Sequence, residues 1–150
     1  MMSGTLPPGP LPSSMQLANS GSRAWNATRK INLADDLRIA DTHWTRLRGL
    51  VGARDFVQGR GLWIVPCHGV HTLGMGFPID VLYLSAENIV VHLEERLRPW
   101  RFAPVRLAAK TVLEFPAGTI AATGTTLGDC IEIQRSDGAS EPPGKQIPQG

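Results

Sequence analysis

Short apolar runs and strict alternation, with little helical periodicity, mark the chain between residues 24 and 134. Residues 24–28 and 31–34 read as two short strands. Residues 41–51 break the pattern: Trp44, Leu47, Leu50 and Val51 recur on one helical face, behind Asp41 as an N-cap and ahead of Gly52 as a left-handed stop. Residues 61–67 and 70–74 are predicted to be extended. Residues 79–85 and 89–97 flank the turn Ala86-Glu87-Asn88 and predict a hairpin. In its first arm Ile79, Val81 and Tyr83 alternate with Asp80, Leu82 and Leu84, so both faces are apolar apart from Asp80, as in a strand covered on both sides. A strand at 111–115, a short helix within 116–123 stopped by Gly124, a turn at Gly128-Asp129 and a strand at 130–134 complete the order. Many short strands separated by turns predict a mostly β (α+β) fold: a small closed β-barrel or a strongly curved sheet, with one or two short helices.

Composition sets the boundaries. Of the first 22 residues, 12 are Pro, Gly or Ser, and residues 136–150 hold 8 in 15. Such segments cannot bury enough apolar surface to offset their ordering entropy, so 1–22 and 136–150 are expected as flexible tails around one domain at 23–135. No apolar run approaches the eighteen or so residues of a membrane-spanning helix. The start MMSGTLPPGPLPSS lacks the basic and apolar regions of a secretory signal, so a cytoplasmic location is expected. A formal net charge of +2 is too small to imply a polyanion partner. Two cysteines, Cys67 and Cys130, are too few for a disulfide framework.

Several segments then align with one family. They are NATR (26–29), the pair Ala40-Asp41, RLRGLVG (46–52), PCHGVHTLGMGFPIDVLYLS (66–85), LRPWR (97–101), VLEFPAGT (112–119), Gly124 and Leu127-Gly128-Asp129. Together they resemble the domain-of-unknown-function 192 family, also called uncharacterised protein family 0127, over nearly all of 23–135. The resemblance implies a small, mostly β domain of bacteria or archaea with no assigned activity. It also implies an accessory role, as some relatives lie near pilus-assembly and secretion genes. This chain departs from its relatives at Gly76, where many carry a basic residue, and at His68, where a small polar residue is common. Some branches place tryptophan at the position of His71.

The chemistry-bearing residues gather at 66–80. Cys67, His68 and His71 offer thiolate and imidazole, the donors zinc prefers, but the spacing lacks a second distant pair. On a strand, 67 and 71 share a face and 68 points away. The alternative for Cys67 and His71 is a thiol nucleophile and its base, and the plain alternative to both is packing in a core. Asp80 opens an apolar strand, so its carboxylate must be paired, bonded to backbone amides, or placed at a rim to meet a ligand. Glu114, between Leu113 and Phe115, invites the same argument, but no spacing places it beside Asp80 as a glycosidase-like acid pair. Arg96, Arg98, Arg101, Arg106 and Lys110 surround Trp100 and Phe102 with no acid among them. That pattern suits either a phosphate-binding, base-stacking surface or a solvated loop anchored by Trp100. Gly69, Gly74 and Gly76 around Met75 suit a bulge or corner, and GMGFP lacks the strand-then-helix setting of a phosphate loop.

These residues lead to a non-enzymatic ligand- or protein-binding module, with His71, Met75, Asp80, Arg98, Trp100 and Arg101 as contact residues. The alternative is a small enzyme or metal site built on Cys67, His71 and Asp80, with His68 as a further ligand. No cofactor is expected. The expected partner is a protein or a small ligand rather than nucleic acid, and the chain is expected to be a monomer without a membrane span.

Overall fold

The structure, a computed structural model, describes residues 21–41 and 55–135. Among the described residues seven strands and one helix follow in order: β1 Ser22–Asn26, β2 Ile31–Ala40, β3 Arg60–Ile64, β4 Ile79–Leu84, β5 Val90–Leu97, β6 Thr111–Pro116, α1 Thr119–Thr123 and β7 Ile131–Gln134. They form one sheet in the order β5-β4-β6-β3-β2-β1-β7. Of the expected tails at 1–22 and 136–150, residues 1–20 and 136–150 lie outside the described residues, as does most of the expected helix at 41–51.

The sheet is the strongly curved alternative rather than a fully closed barrel. Its two edge strands meet only where they begin, through the bridge between Ile89 and Cys130. There the Val90 amide donates to the Asp129 carbonyl (2.9 Å) and the Ile131 amide to the Asn88 carbonyl (2.9 Å). All neighbouring strands are antiparallel except β2 and β3, which pair in parallel from Asp36↔Arg60 to Ala40↔Ile64. A parallel pair needs a crossover connection between its two strands rather than a tight turn.

β4 and β6 are buried along their whole length, because the sheet is covered on both faces. On one face Ala34, Leu37, Trp63, Leu82, Leu113, Phe115, Ile120, Ile131 and Ile133 form one core. On the other face Leu62, Ile64, Met75, Ile79, Val81, Tyr83, Ala103 and Val112 form a second, beneath the segments 65–78 and 98–110.

The observed elements differ from the sequence reading in four main places. β1 spans Ser22–Asn26 instead of 24–28, so it begins inside the expected tail, and Ala27 and Thr28 lie in a turn. β2 runs on to Ala40 instead of ending at Ala34, because its polar stretch is held by backbone pairing: the Asp35 and Asp36 amides donate to the Gly59 carbonyl (2.8 and 3.1 Å). β3 ends at Ile64, ahead of a cis peptide bond between Val65 and Pro66. Of residues 70–74 only 70–72 are paired, about the bridge His71↔Phe102, since the chain turns where the Met75 amide donates back to the Thr72 carbonyl (3.2 Å) and Gly74 adopts φ 78°. The hairpin of β4 and β5 matches the sequence reading, with Ser85 Oγ accepting from the amides of Glu87 (3.2 Å) and Ile89 (3.3 Å) and Asn88 at φ 58°.

Candidate functional site

Asp80 is fully buried at the start of β4, opposite an irregularity in β5. Ile79 faces Leu97 and Val81 faces Glu94, so β5 carries one residue too many at this point, the arrangement of a β-bulge. Arg96, in the bulge at φ 51°, donates its amide to Asp80 Oδ1 (2.9 Å). Oδ2 accepts the amides of Gly118 (3.1 Å) and Ile120 (2.8 Å). Those two are among the amides at the start of α1 that have no partner within the helix, and its own N-cap, Gly118, has no side chain to cap them. Three backbone amides thus surround the carboxylate and replace the water it gave up.

Cys67 and Asp80 lie on opposite sides of the sheet. Asp80 is in register with Phe115 and shares its face, whereas Cys67 packs against the core on the other face. The Cys67 thiol donates to the Gly69 carbonyl (2.9 Å). His68 is exposed, and its Nδ1 donates to the Ala109 carbonyl (2.6 Å). His71 stacks at a tilt over Phe102, with ring centroids 6.3 Å apart, and its buried Nδ1 has no hydrogen-bond partner among the described residues. Among the described residues no three His, Cys, Asp or Glu side chains gather to hold a metal ion.

Glu114 is in register with Val81 and Leu62, which puts it on the face opposite Asp80 and separates the two acids. Its Oε2 is buried with no partner among the described residues, and burial pushes its pKa up to about 8. Tyr83, on the same face, donates its hydroxyl to the Pro104 carbonyl (3.0 Å). Burial, reinforced by Glu94, Cys67 and Glu114 against the opposing charge of Arg106, raises the phenol to about 12.

The outer layer over this face is a two-stranded ribbon. Residues 68–72 run antiparallel to 100–106: the Trp100 amide donates to the Thr72 carbonyl (3.0 Å), Thr72 to Arg101 (2.8 Å), Ala103 to Val70 (2.9 Å) and Arg106 to His68 (2.8 Å). Thr72, not singled out by the sequence, fastens it. Its buried hydroxyl donates to the Arg98 carbonyl (2.6 Å) and accepts the Arg101 amide (2.9 Å). Met75 is buried beneath this layer. The residues that face inward from 98–110 are Ala103 and Ala109, whereas Trp100 (64% exposed), Phe102 (75%), Val105 (65%) and Leu107 (80%) face outward. Arg98, Arg101, Arg106 and Lys110 are exposed among them. Small side chains inside and large apolar ones outside invert the usual order of burial.

A second polar cluster lies at the seam between β1 and β7. Asp129 Oδ2 accepts from Asn26 Nδ2 (2.9 Å), Arg29 Nε (2.7 Å) and the Thr126 amide (3.0 Å). Burial raises the Asp129 pKa, but those three hydrogen bonds and the Arg29 charge outweigh it and hold the carboxyl below its usual range. This cluster joins three segments of the resemblance, Asn26 with Arg29, Gly124 beside the Arg29 side chain, and Asp129.

The profile of a family of uncharacterised proteins, domain of unknown function 192 ("Uncharacterized ACR"), matches residues 25–133. The chain belongs to that family. Two archaeal members, both called UPF0127 proteins, are similar to it. One from Thermococcus sibiricus is 35% identical over 101 residues, 64% of each chain. One from Pyrococcus furiosus is 32% identical over 116 residues, 73% of this chain and 97% of that one. Two solved bacterial structures share the fold. A protein of unknown function from Novosphingobium aromaticivorans superposes with a TM-score of 0.60 at 19% identity, covering 65% of this chain and 74% of its own. A "putative transcription regulator" from Sinorhizobium meliloti superposes with a TM-score of 0.63 at 21% identity, covering 77% and 92%. At such identity the likeness concerns the fold alone. No helix among the described residues is long and apolar enough to cross a membrane.

Proposed function

We propose that this member of the family is a non-enzymatic binding module whose contact surface is the outer face of the ribbon 68–72/100–106 and its continuation to Lys110. The observation that carries the reading is the inverted burial of that segment, with Ala103 and Ala109 inside and Trp100, Phe102, Val105 and Leu107 outside. Exposed clusters of large apolar groups rimmed by charge mark interaction surfaces. Thr72 and the ribbon hydrogen bonds hold the loop in place, which reduces the ordering cost of binding. The enzyme alternative draws less support, because the Asp80 carboxylate is occupied by backbone amides and faces away from Cys67.

The test is a residue-resolved NMR titration of the isotope-labelled full chain with zinc, short peptides, oligosaccharides, nucleotides and lipid bicelles. Saturable shifts gathered on 68–72 and 98–110 are expected. Zinc-dependent shifts centred on Cys67 and His71 would overturn the reading in favour of a metal site.

A further inference from the structure

We infer that the exposed face of residues 98–110 docks on an anionic lipid surface, an inference that rests on the binding-module reading and names its partner. The segment supplies both halves of such a contact. Trp100, Phe102, Val105 and Leu107 are largely solvent-exposed, at 64%, 75%, 65% and 80%. Arg98, Arg101, Arg106 and Lys110 alternate with them, and no acid occurs between Arg96 and Lys110. Rings and branched chains that project singly suit a soft apolar phase, which takes each one without a matching pocket. Tryptophan favours the headgroup level of a bilayer, and guanidinium groups bind phosphate oxygens in pairs. An acidic protein would have to offer pockets shaped to the main projecting groups and carboxylates near the cations, a more specific match than a lipid surface requires. Pro99 and Pro104 restrict the loop, and the Thr72 clamp fixes its base, so insertion orders little additional chain. The contact is interfacial and reversible, made by a loop rather than by a spanning segment.

The experiment is co-sedimentation of the full chain with vesicles of phosphatidylcholine alone and with about one third phosphatidylserine, read together with tryptophan emission. The wild type is expected to sediment with the anionic vesicles only, with a blue-shifted emission that W100S lacks. The double variant R98Q/R101Q is expected to weaken association about thirtyfold, and raised salt to act in the same direction. L107S, at a position with no packing role, is expected to weaken binding without touching the fold, which guards against a misfolded aromatic variant. Absence of wild-type sedimentation with anionic vesicles overturns the lipid assignment. So does equal sedimentation of the wild type and W100S/F102S. A concentration-dependent dimer lost in W100S, with no vesicle binding, would replace the lipid by a second copy of the chain and leave the binding-module reading intact. Failure of vesicle binding, dimerisation and every NMR shift on 98–110 would remove both.

Discussion

The Asp80 carboxylate caps a helix whose N-cap, Gly118, lies thirty-eight residues later in the chain, taking the Gly118 amide at 3.1 Å and the Ile120 amide at 2.8 Å. The same group holds the Arg96 bulge through its other oxygen. One side chain thereby sets the end of β5, the start of β4 and the entry to α1. Asp80→Asn must turn its NH2 either toward the Arg96 amide or toward those of Gly118 and Ile120, opposing donor to donor. Urea denaturation should show a loss of about 2 kcal/mol for Asp80→Asn and about 3 kcal/mol or more for Asp80→Ala. A ligand-contact role alone would leave stability nearly unchanged.

Glu114 makes stability depend on pH in the direction opposite to most carboxylates. Its folded pKa, about 8, lies above the unfolded value of 4.5. Between those values the folded state holds a proton that the unfolded state has released, so stability falls as pH rises, by at most about 1.4 kcal/mol per pH unit. The contribution is complete below 4.5 and lost once pH passes about 8. Glu114→Gln keeps the shape and removes the titration. Its advantage over the wild type should be largest at pH 8–9 and vanish near pH 4, as read by thermal unfolding across pH.

Asp129 carries the usual sign. Its folded pKa is depressed, so its contribution is present above the unfolded value of 3.8 and lost as pH falls through the lower folded value. Removing the acceptor in Asp129→Ala leaves Asn26 and the Thr126 amide without it, at a cost of about 3 kcal/mol. Arg29→Ala should cost less, since that guanidinium is 40% exposed. Chemical denaturation of both variants at neutral pH checks the ranking.

Gly61 in β3 is required for a close approach. A Cβ there would lie 2.9 Å from Leu37 Cδ1, 3.0 Å from Phe115 Cε1 and 3.2 Å from Ala34 Cβ. Gly61→Ala should destabilise by about 1–3 kcal/mol through overpacking. Calorimetry should show Gly76→Ala, with no atom within 4 Å of its added Cβ, close to the wild type.

The hairpin and the double-sided burial of β4 were legible because they depend on neighbours in sequence: a turn at 86–88 and an alternation from 79 to 84. The extent of β2 was not, because Asp35 and Asp36 look like a break until the distant Gly59 carbonyl is seen to hold them. Asp80 announced itself as a carboxylate that needed partners, but those partners are amides of Arg96, Gly118 and Ile120, which have no sequence signature. The alternation of arginine and aromatic residues at 96–106 was visible. The inversion of burial was not, because it follows from which residues of 100–106 face 68–72 across the ribbon. The separation of Cys67 from Asp80 likewise follows from sheet registration rather than from spacing.

β1 and β7 lie side by side, with Arg23 opposite Gln134 and Asn26 opposite Ile131. The two ends of the described fold therefore leave from one rung of the ladder. A short peptide joining residue 22 to residue 135 would make the fold a ring. That ring could be reopened at the exposed turn residues Ala86 and Glu87, giving a circular permutant that begins with β5 and ends with β4.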